Sequence, residues 1–314
     1  MYDVLIVGAG PAGLSSALTL SRALQTAVVF DSGVYRNQRA THMHTLPTWD
    51  HQNPVEFRKS ARAELLDRYN TVTFHDAALT QIKKNANGNF EATSADGRTW
   101  LGRVVVLATG VQDVLPDIEG YDECWARGIF HCLFCHGYEE QGVDTAGVLA
   151  IGDLANVPPA LHLARGAKQL AGKVTLYTDG SEELAMELAK GLRPEEQGLI
   201  VTDTRPITRL AKEPAGAAVT VSFSEGPDAP EGFLVHRPKT LLNGPFAQQL
   251  GLQLTPQGDI LTTPPFQETS APGVFAVGDC SVPGKMVANA IATGSFAGAG
   301  AAAKLQAGWG RGSP

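Results

Sequence analysis

The chain has 314 residues, 43% of them hydrophobic and 18% charged, with a formal net charge of −7. That length accommodates two domains with a core each, and no apolar run is long enough to span a bilayer. The acidic balance argues against nucleic acid as a partner, because a phosphate backbone attracts basic patches and none is visible; no membrane partner is expected either.

The first residues, MYDVLIVGAG, open directly on a strand pattern and lack the charged region and cleavage site of a signal peptide, so a cytoplasmic protein is expected. Residues 3–7, DVLIV, form a continuous apolar run, the pattern of a strand buried on both faces of a parallel sheet. GAGPAG follows, with Gly8, Gly10, Pro11, Ala12 and Gly13 leading into the helical pattern LSSALTLSRAL. The first glycine permits the tight turn, the second lets a pyrophosphate approach the backbone, and the third lets the helix pack on the strand. The helix N-terminus then offers N–H groups to phosphates. A second strand, TAVVFD, ends at Asp31, at the distance from the glycines where an acid accepts hydrogen bonds from a ribose. Strand, glycines, helix, strand and acid in this order predict a dinucleotide site.

The next segment, SGVYRNQRATHMHTLPTWDHQNP, starts at Ser32. Arg36 and Asn37 are candidates for contact with an adenosine, while His42, Met43, His44 and Trp49 are candidates to wall a cofactor or substrate; an ordinary packed loop is the alternative for each. D-G in FEATSADGRTWLGRVVVLAT predicts a hairpin. VVVLATG, residues 104–110, is another buried strand, ending in Thr109 and Gly110. GVFAVGD, residues 273–279, ends in Gly278 and Asp279, and GKMVANAIATGSFAGAGAAAKL then reads as a small-residue helix with Met286 and Val287 near its start. The terminal GWGRGSP reads as a frayed tail.

These segments resemble the FAD-binding segments of the two-domain flavoprotein disulfide reductases, over nearly the whole chain. The resemblance implies an α/β fold of two Rossmann-like dinucleotide-binding domains of the thioredoxin reductase type, the second inserted into the first. An FAD domain would then be split into residues 1–115 and 244–314 around an inserted domain, 116–243, with Pro116, Gly120, Pro238 and Gly244 at the crossings. It also implies that Asp279 binds the ribityl-phosphate side of FAD and that the helix opened by Met286 and Val287 points its N-terminus at the flavin pyrimidine. Ser32, Arg36, Asn37, His44, Thr109, Gly110 and Gly278 join the glycine turn and Asp31 as FAD-contacting residues. A homodimer is implied as well.

The chain has four cysteines, too few and too scattered for a disulfide scaffold: Cys124 and Cys280 are single, and Cys132 and Cys135 form the C-x-x-C of HCLFCHGYEE, residues 131–140. A zinc site needs about four ligands, no H-x-H pair of the right spacing follows, and His131 and His136 flank the cysteines too closely, so no metal is expected. The run WARGIFHCLFCHGYE resembles the redox segment of low-molecular-weight thioredoxin reductases. That implies that Cys135 faces the flavin and Cys132 meets the substrate. The departure is His136, where those enzymes carry an aspartate. A histidine titrates near neutrality and can remove a thiol proton as well as return one. Glu139 or Glu140 is the candidate to orient it; a turn residue bonded to backbone is the alternative for His136. Phe134, Tyr138 and Trp49 are the candidates for a substrate wall.

A second glycine fingerprint should lie in the inserted domain. The strand GVLAI, residues 147–151, is followed by GDLANVPPAL, in which Leu154 replaces a glycine, Asp153 adds a negative charge, and Pro158 and Pro159 occupy the helix start. After the next strand, KVTLY, Asp179 stands where NADPH-dependent members carry basic residues; it is compatible with NADH, so a degenerate NADH site is the alternative to a lost one. Without a nicotinamide donor the reaction runs from a dithiol, through the cysteine pair, to FAD and then to O2 with release of hydrogen peroxide. C-x-x-C-H-G-Y-E without a usable NADPH motif resembles the dithiol oxidases that close the disulfides of gliotoxin, holomycin and romidepsin. The resemblance implies a small-molecule dithiol substrate, with a holomycin-like dithiolopyrrolone favoured. A reductase of thioredoxin-like proteins and a self-resistance protein that binds dithiols without turnover are the competing readings.

Overall fold

The computed structural model describes residues 1–307, so the expected tail lies outside the described residues. The chain divides into two compact units, one made of residues 1–112 with the C-terminal portion from Leu241, the other of Asp113–Thr240. The crossings fall three residues before those expected from Pro116 and Gly244.

In the first unit β1 (Tyr2–Val7) leads into α1 (Pro11–Arg22) and β2 (Ala27–Phe30). Then come α2 (Pro54–Arg68), β3 (Val72–His75), β4 (Leu79–Lys84), β5 (Phe90–Ser94) and β6 (Thr99–Leu107). The strand Val274–Ala276, β6, β1, β2 and β3 lie side by side and parallel, with Leu5 level with both Val28 and Val105. Successive side chains on a strand point to opposite faces, and here both faces are covered. Val4, Ile6, Val29, Val104 and Val106 pack against α1 and the last helix, Val287–Ala307. Leu5, Val7, Val28, Phe30, Val105 and Leu107 pack against the β4–β5 hairpin and the 246–260 segment. That is why the strands read as unbroken apolar runs. The next hairpin, β5–β6, turns at Gly97, φ 81°, the D-G glycine.

The second unit is a five-stranded parallel sheet in the order Ile200–Asp203, Ala171–Tyr177, Val143–Leu149, Leu234–Val235, Ile129–Phe130. Helices Val157–Lys168 and Glu182–Lys190 cover one face. An antiparallel meander, Ile207–Lys212, Val219–Phe223 and Ala229–Glu231, covers the other. Each unit is thus a Rossmann-like layer sandwich. Among the described residues no helix is long and apolar enough to cross a membrane.

Candidate functional site

The first unit carries a cradle at the C-terminal ends of β1 and β2. A Cβ on Gly8, φ 110°, would lie 2.3 Å from the Ala108 carbonyl oxygen, and one on Gly13 would lie 1.9 Å from the Gly8 carbonyl oxygen. Those two glycines are required by the fold itself. Gly10 is different: its φ is −73°, open to any residue, and a Cβ there would meet no protein atom within 4 Å. The fold leaves room above Gly10 without needing a glycine, as expected where a ligand approaches the backbone. Pro11 opens α1, the first turn holds no acid, and Leu14 N–H is bonded to Gly10 O. The N–H groups of Ala12 and Gly13 precede the first helical bond and point beyond the helix end. These features fit a pyrophosphate.

Asp31 stands at the end of β2, its side chain 11% exposed. Its Oδ1 accepts from Gly33 N at 2.9 Å and its Oδ2 from the Tyr35 hydroxyl at 2.5 Å. A carboxylate has about four acceptor positions, so both ribose hydroxyls can still be taken. Ser32 Oγ accepts from Val34 N. Arg36 reaches back over 243 residues to Asp279, Nη1 to Oδ2 2.9 Å, and thereby joins two of the expected cofactor residues. Asn37 accepts from Arg58 at 2.9 Å. Gly278, φ 69°, donates to Thr293 Oγ1, and the Thr109 carbonyl accepts from Asn243 next to Gly110, φ 66°. Lys285 is 14% exposed and donates to Asp259 Oδ1 at 2.7 Å and to the carbonyls of Asp279 and Val282, which fixes the loop that runs through Met286 to Val287. In the 41–52 loop His44 Nε2 lies 3.1 Å from His51 Nδ1. Trp49 stacks edge-on with Phe57 at 5.7 Å, and its indole N–H is buried with no hydrogen-bond partner among the described residues.

In the second unit Cys132 and Cys135 are joined in a disulfide, Cα to Cα 5.2 Å. They lie in a tight turn in which the N–H groups of both Cys135 and His136 donate to Cys132 O. Leu133 turns inward onto the core while Phe134 and Tyr138 are 72% and 66% exposed. The His136 ring stacks with Phe130 at 5.7 Å, one residue beyond the disulfide. Gly137, φ 130°, ends the turn, and its N–H donates to Glu139 Oε2 at 3.4 Å. Burial, then the Glu139 charge, raises the pKa of Glu140. Cys124 and Cys280 are both buried; Cys280 is packed behind Asp279 against Leu107 O and Val277 O.

The second glycine turn of this unit is closed on itself. Gly152–Leu154 is a 3-10 turn whose Leu154 and Ala155 N–H groups donate to Ile151 O and Gly152 O. Leu154 is buried in the core, Asp153 is exposed, and the helix starting at Val157 has prolines in its first turn. Asp179, φ 48°, accepts from Ile207 N at 2.7 Å, so its carboxylate braces the unit's own backbone. At the end of the neighbouring strand His236 is buried, 2.6 Å from the Tyr121 hydroxyl.

Known proteins share this architecture. Residues 2–152 match the pyridine nucleotide-disulphide oxidoreductase family. Thioredoxin reductase sirT of Leptosphaeria maculans is 48% identical over 307 residues, covering 96% of this chain and 93% of that protein. The chain belongs to the thioredoxin reductase family. Thioredoxin reductase aclD of Aspergillus oryzae is 49% identical, with 97% and 96% covered. Among solved structures, HlmI superposes with a TM-score of 0.85 at 28% identity, covering 98% of this chain and 93% of that one. The thioredoxin reductase TrxB of Bacillus anthracis gives 0.86 at 25% identity, with 98% and 99% covered. Family membership makes this chain a disulfide oxidoreductase and implies a flavin, which the cradle of the first unit suits. Sequence reasoning missed Tyr35, Arg58, Lys285 and Asp259. Only Tyr35 carried a local signal, four residues after Asp31, the acid expected at a ribose.

Proposed function

We propose that this thioredoxin reductase-family protein is an FAD-dependent dithiol oxidase that closes an intramolecular disulfide in a small-molecule natural product, with O2 as acceptor. The observation that carries the reading is the contrast between the two glycine turns. The turn of the first unit leaves space above Gly10 and presents N–H groups at the start of α1. In the second unit the N–H groups of Leu154, Ala155 and Asn156 are spent within the turn, Leu154 fills the core and the exposed Asp153 opposes a phosphate. A reductase needs that second site for its nicotinamide donor; an oxidase does not.

One substrate thiolate attacks a sulfur of the Cys132–Cys135 disulfide, releasing the other cysteine as a thiolate and forming a mixed disulfide. The second substrate thiolate attacks the substrate sulfur of that bond, so the product leaves with its own disulfide and the enzyme keeps a dithiol. His136, beside Cys135, takes the proton of one substrate thiol, and the cysteine thiolate released in the first exchange takes that of the other. By the family resemblance Cys132 is the sulfur attacked. Phe134 and Tyr138 offer exposed apolar surface to a compact dithiol. Bound FAD supplies a two-electron acceptor for the enzyme dithiol that O2 reoxidises to give hydrogen peroxide.

The substrates to try are reduced dithiolopyrrolones, with the holomycin type favoured, then epidithiodiketopiperazines and depsipeptides. The names carried by the relatives, thioredoxin reductases, favour a second reading, reduction of a protein disulfide, for which the sequence leaves NADH as the donor. Anaerobic mixing separates the two. The oxidase reading expects flavin bleaching by a dithiol and not by NADH or NADPH, lost in Cys132→Ser and Cys135→Ser and slowed on the order of a hundredfold in His136→Ala. Bleaching by a nicotinamide at catalytic rates establishes the reductase instead.

A further inference from the structure

The adenosine side of the cradle contains a buried cation–aromatic arrangement that the glycine fingerprint does not account for. Helix α2 starts at Pro54, capped by Asn53 Oδ1 accepting from Val55 N at 2.7 Å. Positions four apart share a helix face. Arg58 and Arg62 are so placed: Arg58 turns toward the loop that follows Asp31, and Arg62 toward Asp31 itself, Asp76 and the Phe74 ring. Arg58 is only 8% exposed; its guanidinium lies 3.9 Å from the centre of the Tyr35 ring and donates to Asn37 Oδ1. Arg62 forks onto Asp76 at 2.7 and 3.1 Å and comes within 3.7 Å of Asp31 Oδ2. Tyr35, clamped between Arg58 and Asp31, donates its hydroxyl to Asp31 Oδ2. Burial, then the hydrogen bond to Asp31, raises its pKa, so it remains a donor at any working pH.

Burying a guanidinium is costly unless charge and contact compensate it. Here the compensation is a ring, an amide oxygen and the field of Asp31, a set that fixes geometry more than it neutralises charge. The carboxylate of Asp31 is held from three sides: Gly33 N on one oxygen, the Tyr35 hydroxyl and the more distant Arg62 on the other. We infer that Tyr35, locked by Arg58, is a positioning residue that holds the Asp31 carboxylate in the orientation that receives the adenosine ribose, and so sets affinity for the dinucleotide. This rests on the reading that the first unit binds FAD.

The test is a double-mutant cycle on the full chain, stripped of flavin and titrated with FAD by fluorescence quenching. Tyr35→Phe keeps the ring under Arg58 and removes only the hydroxyl. A lost hydrogen bond to a charged group corresponds to about a tenfold weaker dissociation constant or more. Asp31→Asn weakens FAD binding further. The inference expects the double variant to bind no more weakly than Asp31→Asn alone, because Tyr35 acts only through that carboxylate. Unchanged FAD affinity in Tyr35→Phe overturns it, as does a loss that adds fully to that of Asp31→Asn. Melting of the flavin-free chains serves as the control, and a fall in melting temperature that matches the loss of affinity makes Tyr35 merely structural and also overturns it. A wild-type chain that binds no FAD in the same titration defeats the FAD reading first, and the inference with it.

Discussion

His236 shows how one buried side chain makes stability depend on pH. In the tautomer that donates Nε2–H toward Ile151 O, its Nδ1 accepts from Tyr121. Burial pushes its pKa down from 6.5 to about 4, so the folded protein keeps the ring neutral. Between those two values the unfolded chain binds a proton that the native chain does not, and stability therefore falls as pH drops from 6.5 toward 4. The difference corresponds to about 3 kcal/mol. Melting temperatures followed from pH 7 to pH 4 should decline in the wild type, and His236→Gln should flatten that limb, apart from a constant loss from the unpaired Tyr121 hydroxyl. A wild-type curve that is level from pH 6.5 to pH 4 contradicts the assignment.

The strand–turn–helix element of β1 and α1 combines two kinds of glycine that a motif reading treats alike. Gly13 is where α1 meets the β1 turn, and the adjoining side of the same helix meets the last helix, with Gly294 against Ala12 O and Ser16 Oγ bonded to Gly294 O. Gly13→Ala forces backbone apart and should cost about 1–3 kcal/mol, read as a lower melting temperature with or without cofactor. Gly10→Ala meets no protein atom and keeps an allowed φ. It should leave the flavin-free chain as stable as the wild type, yet weaken FAD binding by on the order of a hundredfold or more, since the methyl group occupies the space of the pyrophosphate. Equal loss of stability in both variants would show that the space above Gly10 serves the fold and not a ligand.

At the level of the whole molecule, two units of one architecture differ in what their first turns can receive. A two-electron oxidation of a dithiol by O2 balances as one disulfide formed, one O2 consumed and one hydrogen peroxide released. Steady-state assays with an electrode and a peroxide-coupled dye should return that one-to-one-to-one ratio without added nicotinamide. Disulfide formation without peroxide would assign the electrons to another acceptor, and binding of the dithiol without either product would leave sequestration as the function.

The sequence by itself determined the elements whose cause is local. Continuous apolar runs gave β1, β2 and β6, the D-G pair gave the β5–β6 hairpin, and the glycine spacing gave the α1 turn, because backbone sterics and side-chain alternation act over a few residues. The spacing of Cys132 and Cys135 alone left metal and redox roles open; the resemblance of their segment to a redox motif implied the pair, and the structure joins them in a disulfide. What only the tertiary structure decided is which distant groups share a charge or a hydrogen bond. Arg36 with Asp279, Lys285 with Asp259, Tyr121 with His236 and Arg58 with Tyr35 are joined by the packing of separate elements, and no periodicity in the chain encodes such meetings. Burial then holds those pairings in place, since a charge or dipole removed from water must find its partner inside the fold.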